Sequence, residues 1–228
     1  MKIANPKFVL ERVKPTFDYY ASQGLAPENG IIRIESELKA GQGIYSFDIK
    51  KQQALLSPSE RSIDQWDLFI VEKIHIGLMV EEVAKPGMSP IMTYPVTGVA
   101  GGFATKDIEA LYNGGLSIKT GTVQTMSDFP LINFRHVPQT QASATTLAQF
   151  DITDAAVQLP EKLIFAGTNQ YDIRVSFPVV PTSNFKEYND EENETSLSTT
   201  KIVLQVFGYR IKGGAAEQYK VSANPENG

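Results

Sequence analysis

The sequence predicts an all-β fold: a two-sheet antiparallel sandwich of single jelly-roll type, preceded by an N-terminal arm or short helix. Three observations carry that expectation. Apolar residues recur at every second position in most runs, Gly, Pro and Asn clusters separate the runs, and the runs number about eight or nine with little helix between them. A chain of 228 residues without cysteine is long enough to bury a core unaided by disulfides.

Residues 1–30 differ from the rest. Phe8, Val13, Phe17 and Tyr20 approximate one helical face, but Pro15 is expected to break or kink a helix running through it. The segment reads as a short helix flanked by extended arm, packed on its own domain or reaching a neighbouring subunit. The sandwich itself is expected over residues 31–213.

From Ile31 the period of two is clear. Ile32, Ile34 and Leu38 alternate with Arg33, Glu35 and Glu37; after Ala40-Gly41-Gln42-Gly43, Tyr45, Phe47 and Ile49 alternate with Ser46, Asp48 and Lys50. Two such runs around a Gly-rich loop read as a β-hairpin. Residues 51–64 read as a connection that can hold a short helical turn. Trp66 to Val80, WDLFIVEKIHIGLMV, follows as the central strand, with Trp66, Leu68, Ile70, Ile74, Ile76, Leu78 and Val80 on one face and Trp66 as a core anchor. At about 3.3 Å per residue it spans about 50 Å, so a bend or bulge is expected near Glu72 or Gly77.

KPGMSP is a turn, Ile91 to Val96 a short edge strand, and TGVAGGFATKD a structural loop lacking the strand-to-helix context of a phosphate cradle. Asn113-Gly114-Gly115 marks a hairpin turn or a bulge within 108–120. Residues 121–138 give a further strand pair, and 139–160 a polar surface segment. Leu163 to Phe165 and Tyr171 to Phe177 read as strands around Gly167-Thr168-Asn169-Gln170, in hairpin chemistry. Residues 182–200 read as an exposed acidic loop and Ile202 to Ile211 as the last strand. Residues 214–228 form a flexible tail.

Chemistry is sparse. His75 and His136 are the two histidines; each lies in a strand pattern, with no second histidine at zinc spacing and no Gly-x-Ser-x-Gly elbow for a serine nucleophile. Both read as sheet histidines. Asp190, Glu191, Glu192 and Glu194 lack the alternating ligands and glycine of a calcium loop and read as a solvated acidic loop. Asp151 and Asp154 make no glycosidase pair with another acid. Asn193-Glu194-Thr195 matches a glycosylation sequon by chance. These readings leave no catalytic, cofactor-binding or metal residue to nominate and no cofactor, and the chain is not expected to be an enzyme.

The net charge of −5 disfavours a genome-wrapping surface. The N-terminus lacks the apolar core of a secretion signal, and no apolar run approaches the roughly 20 residues of a membrane span.

The order of strands across residues 31–213, in ESELKAGQGIYSFDIK, QWDLFIVEKIHIGL, EALYNGGLSIKTG, FPLINFRHVPQTQ and KIVLQVFGYRI, resembles jelly-roll capsid and other virion structural proteins of bacterial viruses. The resemblance implies a homo-oligomer of capsomer type in a virion assembled in the host cytoplasm. Contacts with other virion proteins and no direct sequence-specific nucleic-acid binding are expected with it. A double jelly roll needs about sixteen strands, so a single one is expected. Two other classes are a carbohydrate- or receptor-binding jelly roll on a spike or fibre, and a cupin-like enzyme with His and Glu metal ligands.

Overall fold

Alternation of apolar and polar residues becomes two facing antiparallel sheets. The structure, a computed structural model, describes residues 6–50, 62–82, 84, 91–92, 112–135, 156–158, 163–180, 186–190 and 195–216. A helix, α1 (Pro6–Ser22), precedes the strands β1 (Pro27–Glu37), β2 (Ile44–Phe47), β3 (Leu68–Glu82), β4 (Ile91–Met92) and β5 (Gly115–Thr120). Then come β6 (Val123–Pro130), β7 (Ile164–Ala166), β8 (Tyr171–Ser176), β9 (Lys186–Asp190) and β10 (Thr195–Ile211).

The first sheet runs β1-β10-β3, with β4 and β7 pairing along β3 and β9 along β10; the second runs β2-β8-β5-β6. The pairs β1–β10, β2–β8, β3–β7 and β5–β6 are all antiparallel and nest one inside another in sequence. The chain is therefore one long hairpin, with its tip at Gly121-Thr122, wrapped so that successive pairs fall in alternate sheets. That is the single jelly roll the strand count predicted.

The nesting overturns two local pairings. The runs before and after Ala40–Gly43 lie in opposite sheets, β1 on β10 and β2 on β8, so they form no hairpin. The same holds for β7 and β8 around Gly167–Gln170. Turn chemistry reports a reversal of direction, and a crossing between sheets needs the same reversal. Tyr45 secures the first crossing: its hydroxyl accepts from Lys39 N at 3.0 Å and donates to Gln42 O at 3.0 Å.

The central strand carries the expected bulge. Along β10, Phe207 faces Lys73 while Gly208 faces Val71, which leaves Glu72 as the extra residue. One inserted residue exchanges the two faces of a strand. Before Glu72 the odd positions Phe69 and Val71 point into the core between the sheets; after it, the even positions Ile74, Ile76 and Leu78 do. Leu68 and Ile70 are thereby turned to the outer face, so the expected unbroken even-numbered core face is corrected. Gly208 is required there, because a Cβ on it would collide with the carbonyl oxygen of Ile70.

Helix α1 covers that outer apolar patch. Tyr20 is buried with Leu68, Ile70, Ala166, Ile211 and Ala215, and Phe17 meets Tyr209 edge to face at 5.5 Å. The helix passes through Pro15, against expectation. An interior proline costs about 3 kcal/mol, and burial of two aromatic side chains on the sheet is of the same order. Pro15 itself is exposed.

Further boundaries differ from the sequence reading. β1 begins at Pro27. Residues 131–134 form a 3-10 turn with Leu131 and Phe134 buried, and not a strand, since their apolar residues sit three apart. β10 extends back to Thr195 and pairs with β9, where an acidic loop was expected; polar β-branched threonines pair as readily as apolar ones in a hairpin. Gly214 and Ala215, read as the start of a flexible tail, are buried; Ala215 N donates to Trp66 O at 2.9 Å and Gly213 N to Asp67 Oδ1 at 3.1 Å. Residues 93–96, most of 139–160 and residues 217–228 lie outside the described residues.

Candidate functional site

His75, the first residue a search for chemistry would test, is on the outer face of β3 and is fully buried, where a less buried face was expected. The bulge sets its direction, and burial lowers its pKa to about 4 despite the opposing hydrogen bond to Gln205, so the ring is neutral at pH 7. Its Nδ1 lies 3.2 Å from Gln205 Oε1, its cross-strand partner. A neutral ring can only donate to that carbonyl-type oxygen, which fixes the proton on Nδ1 and leaves Nε2 as a buried acceptor with no hydrogen-bond partner among the described residues. Among the described residues no group of three or more His, Cys, Asp or Glu could hold a metal.

Four residues along β10 from Gln205, an ionic network crosses three strands. Lys201 of β10 bridges Glu35 of β1 at 3.0 Å and Glu81 of β3, and Arg33 bridges Glu35 at 2.8 Å. The four side chains are only 11–20 % exposed. Burial alone would lower the Lys201 pKa, but hydrogen bonds to Glu81 and Glu35 outweigh it and raise it. Such a network holds three strands in register; it presents no free group to a substrate.

The remaining polar residues singled out by sequence are dispersed. His136, Asp151, Asp154, Glu191, Glu192, Asn193 and Glu194 lie outside the described residues, Asp190 closes β9 and Thr195 opens β10. Trp66 is 51 % exposed, not a core anchor: it precedes the first residue of β3 and sits in the turn whose Asp67 N bonds to Asp64 O. A surface cavity of about 310 Å³ is lined by Asn113, Gly114, Gly115, Asp128, Pro130, Ser176, Phe177 and Pro178.

What sequence reasoning passed over is an apolar shoulder at one edge of the second sheet. Ile44 (56 % exposed), Val179 (70 %) and Val180 (46 %) face solvent, and Val180 lies against Gly43, beside β2. The signal was present: Ile44 is out of phase with the buried series Tyr45, Phe47, Ile49, and Val179-Val180 stand between Pro178 and Pro181 where no strand can bury them. Its chemistry is that of contact surface. No family model, no curated protein and no solved structure matches the chain.

Proposed function

We propose that this chain is a self-assembling structural protein, a shell component of the virion of a bacterial virus. The apolar exposure at the β2 edge of a single jelly roll carries the reading: solvent-facing Ile44 on the edge strand, and exposed Val179 and Val180 in the segment that reaches Gly43, offer apolar area suited to burial against another chain. The nested strand order supplies a rigid wall, and the buried ionic network keeps the outer face of its first sheet in register. Other virion proteins are the further partners this reading calls for, and the acidic balance of the chain assigns genome contact to them. Light scattering of the purified chain across a wide concentration range, followed by negative-stain imaging, tests it. Rings, shells or discrete oligomers are expected; a strict monomer throughout counts against it.

A second reading, a jelly-roll module that binds carbohydrate on a spike or fibre, is favoured by the exposed indole of Trp66, since aromatic faces stack on sugars. Thermal shifts across a glycan panel, abolished in Trp66→Ala, are its expected sign.

A further inference from the structure

The edge strand β2 carries no charged residue or proline in Ile44-Tyr45-Ser46-Phe47, the devices by which exposed edges are usually kept from pairing. Its geometry says which groups are open. Phe177 N donates to Gly43 O at 2.8 Å, so Gly43, and with it Tyr45 and Phe47 in the alternating ladder, direct their backbone groups toward β8. Ile44 and Ser46 direct theirs the other way, off the sheet. Of these outward groups, Ile44 O accepts from the Gln42 side-chain amide at 2.9 Å. The N–H groups of Ile44 and Ser46 and the carbonyl of Ser46 have no hydrogen-bond partner among the described residues.

We propose that β2 is the edge through which two copies of this chain associate, pairing antiparallel about a two-fold axis at Tyr45; this rests on the self-assembly reading above. In that register Ile44 faces Ser46 of the second copy and Ser46 faces its Ile44, so each outward N–H meets an outward carbonyl, with the second lone pair of Ile44 O accepting from Ser46 beside the Gln42 amide. The pairing is isologous, as a two-fold interface must be. Gln42 falls opposite Asp48 of the second copy, an amide against a carboxylate, so no like charges oppose one another. Ile44 from each copy borders the new ladder and loses its exposure, Val180 beside Gly43 stands at the end of the paired segment, and the two four-stranded sheets become one of eight strands. A second copy suits this edge because the available segment is short and self-complementary about Tyr45, with Ile44 against Ser46 and Gln42 against Asp48 on both sides of the axis.

The test uses the full chain, whose lack of cysteine makes any introduced thiol unique. Ile44→Cys and Ser46→Cys replace exposed side chains. In the proposed register a 44–46 pair across the axis has Cα atoms about 5.5 Å apart, within disulfide reach, whereas 44–44 and 46–46 pairs are about 7–8 Å apart. Mixing the two variants under mild oxidation should give several-fold more disulfide-linked dimer than either variant alone. Ser46→Pro removes an outward N–H without touching the β8 ladder and should weaken association at least tenfold in sedimentation velocity, as should Ile44→Lys, each with an unchanged circular dichroism spectrum. If wild type associates but the mixture cross-links no better than the single variants, and both edge variants associate normally, the edge assignment is overturned while self-assembly stands. A wild-type chain that stays monomeric overturns both.

Discussion

The ring of His75 donates through Nδ1 to Oε1 of Gln205, 3.2 Å away across the β3–β10 ladder, in a position where neither side chain is open to solvent. Because the folded-state pKa is lowered from 6.5 to about 4, the unfolded chain takes up this proton first as pH falls. The stabilising contribution is full above pH 6.5 and is lost progressively down to about pH 4. At pH 5 the loss is about 2 kcal/mol relative to pH 7. His75→Gln keeps an amide able to meet Gln205 and does not titrate. Urea unfolding at pH 7 and pH 5 should show the wild type losing about 2 kcal/mol more than the variant; equal losses would mean that the ring is already hydrated in the native state.

The bulge at Glu72 makes neighbouring aromatic residues unequal. Phe69, fully buried between the sheets, should cost about 3–5 kcal/mol when replaced by alanine, whereas Trp66→Ala should stay within about 0.5 kcal/mol. Ile74→Asp, past the bulge and 1 % exposed, should yield no folded protein because an unpaired carboxylate would be buried in the core. Thermal unfolding of the two alanine variants and circular dichroism of the third check these expectations. A costly Trp66→Ala beside a mild Phe69→Ala would place the faces the other way round.

The fold class was legible in the sequence because a period of two is written residue by residue in β1, β2, β3, β8 and β10. Partner choice was not: Ala40–Gly43 and Gly167–Gln170 signal a reversal, and only the nesting of all pairs decides that the chain crosses to the other sheet there. The bulge was readable near Glu72, since a 15-residue strand rarely runs straight. Its consequence for Leu68, Ile70 and His75 depends on where the extra residue falls, which the pairing with β10 fixes. At the candidate site, the exposure of Ile44 could be read from its phase against Tyr45 and Phe47. That Val180 reaches Gly43, at the start of the same edge, comes from the tertiary fold alone.

Lys201 stands between two carboxylates drawn from strands on either side of it. Lys201→Met leaves Glu35 and Glu81 facing each other with their shared cation gone. Removing one partner of a buried pair costs about 3–5 kcal/mol, and partial exposure puts the loss near the lower end, at about 3 kcal/mol. The triple change Lys201→Met, Glu35→Gln, Glu81→Gln should recover part of that loss, because the two carboxylates no longer face each other unneutralised; Arg33, which loses its bridge to Glu35, keeps the recovery partial. Chemical denaturation of the single and triple variants measures both steps. A triple variant less stable than the single one would show that the carboxylates have other essential work in the sheet.

Among the described side chains of α1, Tyr20 and Phe17 pack on the sheet, and this makes their contribution measurable. Tyr20 is 3 % exposed against Leu68, Ile70, Ile211 and Ala215, while Phe17 meets Tyr209 edge to face. Truncating Tyr20 to alanine opens a cavity on the outer face of the first sheet and should cost about 3 kcal/mol. Deleting residues 1–22 removes the cover altogether and exposes Leu68, Ile70 and Ile211 as a contiguous apolar patch. The deleted chain should bind a hydrophobic dye and aggregate at concentrations where the full chain does not. The sandwich core lies on the opposite face of the sheet, so its circular dichroism should retain the strand signal. If the deletion leaves dye binding unchanged, the patch is covered by something other than α1; if it abolishes the strand signal, the helix is part of the folding core and not a cover laid upon it.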